Sequence, residues 1–316
     1  MQATLYRYTT GINNKVDAAR VAFDQKKGIT DLEAGVDILI DKAGGIVSRR
    51  DNELMLAGEY LSAYPTGDGI SFYAVKNRTV DAALFKVVPA FDSVGDVVSL
   101  TEYELRSGLT KGAKTDFCEV DGKVYYMNGY EYGVLDGSKA EPWPVSVWPR
   151  ETVAPMVHTP AGSHLDMLSS RFLLAIGKEL QYTEPGFWGI LDNNRNWRLF
   201  ESRILMIYAV GTGAYVSDEK AVWFLAGRDP NAWIPEKVLN YPAVEFCRVP
   251  GLVDPSFFGF ETAKPAALFG TVNGPAVGLA EGVAFNLIDK KVNMPSGCSH
   301  GSIMVVDETT IIQSGV

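Results

Sequence analysis

Apolar positions fall in short β-branched and aromatic runs of about four to six residues, cut by turn residues, the pattern of half-buried or buried strands. Residues 120–137, "VDGKVYYMNGYEYGVLDG", show the unit: Val124 to Met127, then Asn128-Gly129, a second run through Tyr130 and Tyr132, then Asp136-Gly137. An Asn-Gly pair between two such runs predicts a type I′ hairpin, because both central residues of that turn need positive φ. The pattern returns in "RFLLAIGKELQYTEPG" (171–186), "ILMIYAVGTGAYVSDEKAVWFLAG" (204–227) and "LFGTVNGPAVGLAEGVAFNLID" (268–289). "GAYVSDEKAVWFL" overlays on "PAVGLAEGVAFNL" in its apolar positions and charged turn, and "GSIMVVDETTIIQSGV" closes the chain as a further variant. From Val124 to Phe172 to Tyr215 the corresponding strands recur about every 45 residues, the length of a four-stranded propeller blade. Tyr215 to Val277 is a longer interval, and its Pro-rich stretch (227–259) reads as outer strands plus an inter-blade loop. The expected fold is all-β, a β-propeller of roughly five to seven blades over residues 31–316 behind an N-terminal arm of residues 1–30. A β-sandwich, whose strands are also short and regularly spaced, is the alternative.

Helix is scarce. The candidate is "KVDAARVAFDQKK" (15–27), where Val16, Ala19, Phe23 and Lys27 recur at helical spacing. Less than about a tenth of the chain should be helical, against a usual third. Prolines in "EPWPVSVWPRETVAPMVHTPAG" (141–162) remove too many donors for a central strand, so this is a surface loop pinned by Trp143 and Trp148. Residues 1–30 match no blade unit, yet carry Leu5, Tyr6, Tyr8, Ile12, Val16 and Phe23, too many apolar groups for a solvated tail.

Composition narrows the function. The 316 residues are 47% hydrophobic, 11% aromatic and carry a net charge of −9. An acidic surface disfavours tight binding to a phosphate backbone, which needs clustered Lys and Arg. Cys118, Cys247 and Cys298 are odd in number and contain no CxxC pair, so they read as structural thiols. The start "MQATLYRYTT" lacks a basic region leading into an apolar one, and no window approaches 18 apolar residues. The expectation is a soluble protein of a reducing compartment, not secreted and not inserted in a membrane.

Candidate chemistry is thin. "GCSHG" (297–301) spells G-x-S-x-G, but a nucleophile elbow needs a strand before the serine and a helix after it. Here a polar, proline-bearing segment precedes and the strand-like "SIMVV" follows. "ILDNNRNW" (190–197) resembles the Asp-box turn of sialidase-type propellers in Asp192, Asn194 and Trp197, with Asn194 able to take positive φ, but it lacks the serine and threonine. That box ties a turn together and carries no chemistry. His158 and His164 lie in the proline-rich segment without metal-ligand spacing, and read as ordinary loop histidines. The carboxylate clusters Asp218-Glu219 and Asp307-Glu308 fall in expected turns with a solvated role, and no phosphate-binding glycine motif is present. No catalytic residue, metal site or cofactor is expected.

Several segments, in order along the chain, resemble a group of tailed-bacteriophage tail structural proteins: "LYRYTTGINN" (5–14), "DLEAGVDILIDKAGGIVSRRDN" (31–52), "DFCEVDGKVYYMNGYEYGVLDG" (116–137), "SSRFLLAIGKELQYTEPGFWGILD" (169–192) and "FESRILMIYAVGTGAYVSDEKAVWFLAGRDP" (200–230). The group's pattern has an "F-x-G-G-I-N-N" arm and a "V-x-G-R-V-Y-Y-x-N-G" strand. This chain departs from it at Asp37, Asn52 and Ser170. The resemblance implies a nozzle-, hub- or tip-like virion component, made in the host cytoplasm and assembling with copies of itself in a ring and with other tail proteins. It favours docking of the arm residues Leu5, Tyr6, Tyr8, Ile12, Val16 and Phe23, with Trp143 and Trp148, on neighbouring subunits. Genomic DNA passing such a ring would not be gripped, and Arg49-Arg50, beside Asp51 and Glu53, reads as charge-paired. Two alternatives stand. One is a glycan- or receptor-binding tail module using Trp143, Trp148, Trp188 and Trp197 as stacking platforms. The other is a propeller glycoside hydrolase with a buried carboxylate pair at its mouth.

Overall fold

The computed structural model describes residues 55–146, 156–288 and 300–303 in full, and elsewhere the backbone of residues in strands. Near the N-terminus these strands are β1 (Thr9–Ile12), β2 (Phe23–Asp24), β3 (Ile29–Leu32), β4 (Ile38–Ile40) and β5 (Ile46–Ser48). Blade 1 follows, built of β6 (Tyr60–Pro65), β7 (Phe72–Asn77), β8 (Ala82–Phe91) and β9 (Val97–Leu109). Blade 2 comprises β10 (Asp116–Val120), β11 (Lys123–Met127), β12 (Tyr132–Asp136) and β13 (Lys139–Glu141). After the short β14 (Met156–His158), blade 3 contains β15 (His164–Leu168), β16 (Arg171–Ile176) and β17 (Glu179–Tyr182). Its fourth strand is β19 (Trp197–Leu199), and the intervening β18 (Ile190–Asp192) pairs with β14. Blade 4 holds β20 (Ile204–Val210), β21 (Gly213–Asp218), β22 (Val222–Ala226) and β23 (Pro235–Leu239). Blade 5 holds β24 (Ala243–Arg248), β25 (Ala267–Thr271), β26 (Gly274–Gly278) and β27 (Ala284–Asn286). The hairpin of β28 (His300–Val306) and β29 (Thr309–Gly315) packs beside β24.

The fold is therefore a five-bladed β-propeller, within the expected range of blades. Among the described residues helix is limited to two 3-10 turns, Pro230–Ala232 and Pro255–Phe258. Phe23 and Asp24, inside the segment expected to be helical, form a strand instead, antiparallel to β3. The β-branched partner "ITDL" gives their backbone a ladder, which outweighs a weak helical spacing.

Cores lie between blades. Tyr64, Val75 and Leu84 of blade 1 pack on Phe117, Val124 and Tyr126 of blade 2. Ile204, Ile207 and Val216 of blade 4 meet Leu173, Leu180 and Tyr182 of blade 3. On its other side, Tyr208 and Tyr215 meet Ala267 and Phe269 of blade 5. Strands sandwiched in this way are buried on both faces and read as continuous apolar runs, as in "GAYVSD", where all six residues are buried.

Two details correct the repeat reading. Tyr215 sits in the second strand of its blade, whereas Val277 sits in the third strand of the next. The overlay was thus one strand out of register, because strands buried on both faces carry the same apolar pattern. The stretch 227–259 also contains β24, the inner strand of blade 5. The Asn128-Gly129 pair is not a two-residue turn either. Met127 pairs with Tyr132 across a four-residue loop, and Asn128 acts through its side chain, accepting from the amides of Tyr130 and Glu131. The type I′ turns lie elsewhere, at Asp121-Gly122 and Ser169-Ser170, where both residues of each pair have positive φ.

Candidate functional site

Asp116, His164, Asp166 and Arg248 converge where the inner strands of the blades face one another. Aligned from their following turns, β10 and β15 place Asp116 beside His164, and Cys118 beside Asp166. His164 Nδ1 lies 3.6 Å from Asp116 Oδ2, and its Nε2 lies 3.4 Å from Glu245 Oε1. Arg203 Nη1 donates to that same Glu245 oxygen at 2.5 Å. The imidazole packs on the ring of Phe246, centroids 4.5 Å apart. One layer along, Cys118 Sγ donates to Asp166 Oδ1 at 3.6 Å.

Arg248, at the end of β24, ties these layers together. Its Nη2 donates to Asp116 Oδ1 at 3.0 Å and to the carbonyls of Phe117 and Leu165 at 3.2 and 3.0 Å. Its Nη1 donates to Asp166 Oδ2 at 3.2 Å, and its guanidinium carbon lies 5.3 Å from the ring centroid of Tyr208. A single side chain of blade 5 thus contacts blades 2, 3 and 4. Only a planar fork with several donors can serve so many acceptors at once.

The surroundings set the charge states. Burial pushes the Asp116 carboxyl up, but Arg248 and His164 outweigh it and hold the group below its usual range. Burial prevails at Asp166, helped by the negative charge of Asp116, and holds that carboxyl above its usual range despite Arg248. The Cys118 thiol is pushed well up by burial and by Asp166. Burial opposes a charged His164, yet Asp116 and Glu245 together raise it. Arg248 is likewise raised by its two carboxylates against burial.

All four carboxylate oxygens are engaged. Asp116 Oδ1 accepts from Arg248 and the Phe117 amide, and Oδ2 from the Leu165 amide, with His164 beside it. Asp166 Oδ1 accepts from the Met167 amide and Cys118, and Oδ2 from the Ala209 amide and Arg248. Carboxylates held in this way tie strands together and have no oxygen left to direct at a substrate. Among the described residues no group of three or more His, Cys, Asp or Glu is placed to hold a metal ion.

Beside this hub is a cavity of about 650 Å³ between β6, β10, the end of β24 and the start of β28. Its wall is mainly apolar, with Leu61, Tyr64, Phe117, Phe246, Val249 and Ile303, and its charged lining residues are Asp116 and Arg248, which pair with each other, and Lys114.

The residues singled out on sequence are scattered. Trp143 pins its loop as expected: its ring packs on Tyr125, Tyr132 and Phe172, and Nε1 donates to the Trp188 carbonyl at 2.9 Å. Only 7% of its surface is exposed in the single chain. Leu5, Tyr6, Tyr8, Val16 and Trp148 lie outside the described residues, as do Arg49, Arg50, Cys298, Ser299, Asp307 and Glu308. Ile12 and Phe23 are described only as strand backbone. Trp188 is partly buried against Trp143 and donates to the Ser170 carbonyl, whereas Trp197 is 46% exposed on the outer strand β19. Of the stacking platforms, therefore, only Trp197 is presented to solvent among the described residues.

His164 is no loop histidine, since it opens β15 in the buried hub, while His158 ends β14. Asp218 is fully buried and not solvated, because its Oδ1 caps the amides of Lys220 and Ala221. Asp192 closes its turn by accepting from the Asn194 amide, without the positive φ expected of Asn194. Sequence reasoning missed Asp116, Asp166, Glu245 and Arg248. The available signal was a charged residue inside the inner strands of blades 2, 3 and 5, "DFCEV", "HLDML" and "AVEFCR".

No family model matches the chain, and no curated protein sequence matches it. Among solved structures it is similar to apo AztD from Citrobacter koseri, at 10% identity over 85% of each chain with a TM-score of 0.41. It is also similar to the β-propeller domain of Cps50 (Swd1) from Myceliophteria thermophila, at 12% identity over 83% of this chain and 98% of that one, TM-score 0.40. The AfRom2 CNH domain matches at 9% identity over 78% of this chain and 69% of that one, TM-score 0.37. These likenesses carry no argument about function.

Proposed function

We propose that the chain is a structural subunit of a bacteriophage tail, of the nozzle, hub or tip kind, which builds into the virion with copies of itself and other tail proteins and performs no catalysis. The observation that carries the scaffold half of this reading is the saturated hub. Asp116 and Asp166, the buried carboxylate pair a propeller hydrolase would use, are both spent on Arg248 and backbone amides. The ordered resemblance of segments 5–14 to 200–230 supports the tail half. A glycan-binding module would gather aromatic faces, and burial of Trp143 weighs against that.

The test uses virions and a truncation. Mass spectrometry of purified particles should find the protein in stoichiometric amount. Deleting residues 1–28 should leave a folded, soluble, β-rich chain that no longer enters particles. Absence of the intact protein from virions, or specific turnover of a glycan by it, would overturn the reading. A truncated chain that fails to fold would assign the arm to the propeller and move the assembly role to the loops at 141–162 and 228–262.

A further inference from the structure

Blade 1 has a feature that the other blades lack. Its β7 begins at Phe72, which pairs with Val87, but β8 runs on to Phe91 and β9 returns from Val97. Residues 88–101 therefore form a two-stranded ribbon beyond the end of β7. The ribbon ends in apolar side chains facing water: Phe91 is 49% exposed, Val94 83% and Val98 57%. Its tip is tied by Asp92, whose Oδ1 accepts the amides of Val94, Gly95 and Asp96 at 2.8, 2.8 and 2.9 Å. A pre-organised knob loses little further freedom when it docks.

The same chain contains a matching hole. The cavity beside the hub is lined by Tyr64, Phe117, Phe246 and Ile303, and Lys114 holds its ammonium 5.7 Å from the Phe246 ring centroid. No carboxylate among the described residues forms an ion pair with Lys114, whereas the ribbon tip carries Asp92 and Asp96. Phe246 is held at φ +59°, an unusual conformation for a bulky residue, and such strain gathers at sites that clamp a ligand. The cavity is lined by β6 and by Phe72 at the start of β7, whereas the ribbon is carried by β8 and β9, which stand roughly 10–14 Å from β6 across the ladder, and it runs on past the end of β7.

We infer that the ribbon tip of one copy docks in this cavity of a second copy, with Phe91, Val94 and Val98 against the apolar wall and Asp96 toward Lys114. This rests on the self-assembling part of the reading above and names its contact. Knob and hole are different surfaces, so each copy can give one contact and take one, and the series closes into a ring if the rotation between copies allows.

The full chain with Cys298→Ser provides the background for cross-linking. A Val94→Cys chain mixed with a Ser302→Cys chain should give a cross-linked pair with a short bismaleimide, and Val94→Cys alone should give none. In sedimentation equilibrium, Phe91→Ser/Val94→Ser/Val98→Ser should weaken self-association at least about tenfold, given the cost of removing buried apolar groups. Its melting temperature should be unchanged, since the tip lies outside the blade. Lys114→Glu and Asp96→Lys should each weaken association about threefold, as expected for a rim charge, and the double variant should recover it. A chain that stays monomeric at all concentrations, a missing cross-link, or a Lys114→Glu loss that Asp96→Lys does not repair would overturn the inference. So would cross-linking that appears only after residues 1–28 are removed, because the cavity would then belong to the chain's own N-terminal segment. Failure of the tail reading would show separately, as absence from virions, and would leave the cross-link standing.

Discussion

In blade 2 the inner hairpin runs along Asp116–Val120, turns at Asp121-Gly122 and returns along Lys123–Met127. In blade 3 it runs along His164–Leu168, turns at Ser169-Ser170 and returns along Arg171–Ile176. The backbones match: Val120 pairs with Lys123 and Leu168 with Arg171, and all four turn residues have positive φ. What differs is where the acid stands. Blade 2 carries it at the first position of the strand, and blade 3 two residues later, where blade 2 has Cys118. Side chains two apart share a face of a strand, so this shift moves the acid one layer along the axis without turning it away. Hence His164 can face Asp116 in one layer and Cys118 can face Asp166 in the next, while one guanidinium reaches both acids. The two acids then diverge. Burial pushes both up, but Arg248 and His164 outweigh it at Asp116, which lies below the usual range, whereas at Asp166 burial, with Asp116 nearby, prevails over Arg248 and the group lies above it.

The largest effect should come from removing what the two blades share. Arg248→Ala leaves two buried carboxylates without their cation, and breaking a buried pair on one side typically costs roughly 3–5 kcal/mol. Urea unfolding followed by tryptophan fluorescence should show this as a lower midpoint. Arg248→Lys should fall between, because it keeps the charge and loses the fork. A loss below about 1 kcal/mol for Arg248→Ala would mean that the apolar cores between blades hold the ring unaided.

How much of this was legible from sequence follows from the same comparison. The turn at Gly177-Lys178 falls where the residues place it, with Ile176 pairing with Glu179, and of the expected turn Gly211-Thr212-Gly213 the first two residues turn the chain while Gly213 opens β21 and pairs with Val210. The period of the second strands in blades 2, 3 and 4 was legible too, since their burial depends on local composition. Blade 1 was not, because "VVSLTEYELRSGL" is long, charged and largely exposed, unlike the short buried strands used as a template. The hub was hidden for a different reason. Polar residues in "HLDML" and "AVEFCR" interrupt the apolar pattern, and their partners lie far away in the chain. Arg248 and Asp116 are 132 positions apart. Only the gathering of the inner strands of blades 2 and 5 makes them neighbours.

A smaller effect separates the two turns. Ser169 and Ser170 adopt φ of 50° and 62°, a region that costs an ordinary L-residue about 1–2 kcal/mol and glycine almost nothing. Asp121-Gly122 fills the equivalent turn with residues that suit it. Replacing Ser169-Ser170 by Asn-Gly should therefore stabilise the chain by about 1 kcal/mol, read as a higher urea midpoint at unchanged slope. The Ser170 carbonyl, which accepts from the Trp188 indole and the Gly186 amide, is retained in the variant. The reverse exchange, Asp121-Gly122 to Ser-Ser, should destabilise by a similar amount. A neutral result in both directions would mean that the serines relieve the conformation by means other than turn preference.

The most confined effect concerns the residue that replaces Asp116 in blade 3. His164 is buried between Asp116 and Glu245, with Arg203 beyond Glu245, Arg248 beyond Asp116 and the Phe246 ring beneath it. Its two ring nitrogens both face carboxylates, an arrangement that favours the doubly protonated imidazolium, and its pKa is raised above the ordinary 6.5. The sign follows by linkage. A group whose folded pKa is raised contributes stability that is fully present below the unfolded pKa and is lost as pH rises through the folded one. Asp116 and Glu245, both lowered, act in the opposite sense, and their contribution is lost on acidification. The histidine is therefore isolated on the alkaline side. The free-energy difference between wild type and His164→Gln, measured by urea unfolding, should be larger at about pH 6 than at about pH 8.5. A difference that stays level across this range would mean that the imidazole is neutral in the folded ring and that Asp116 is held by Arg248 alone.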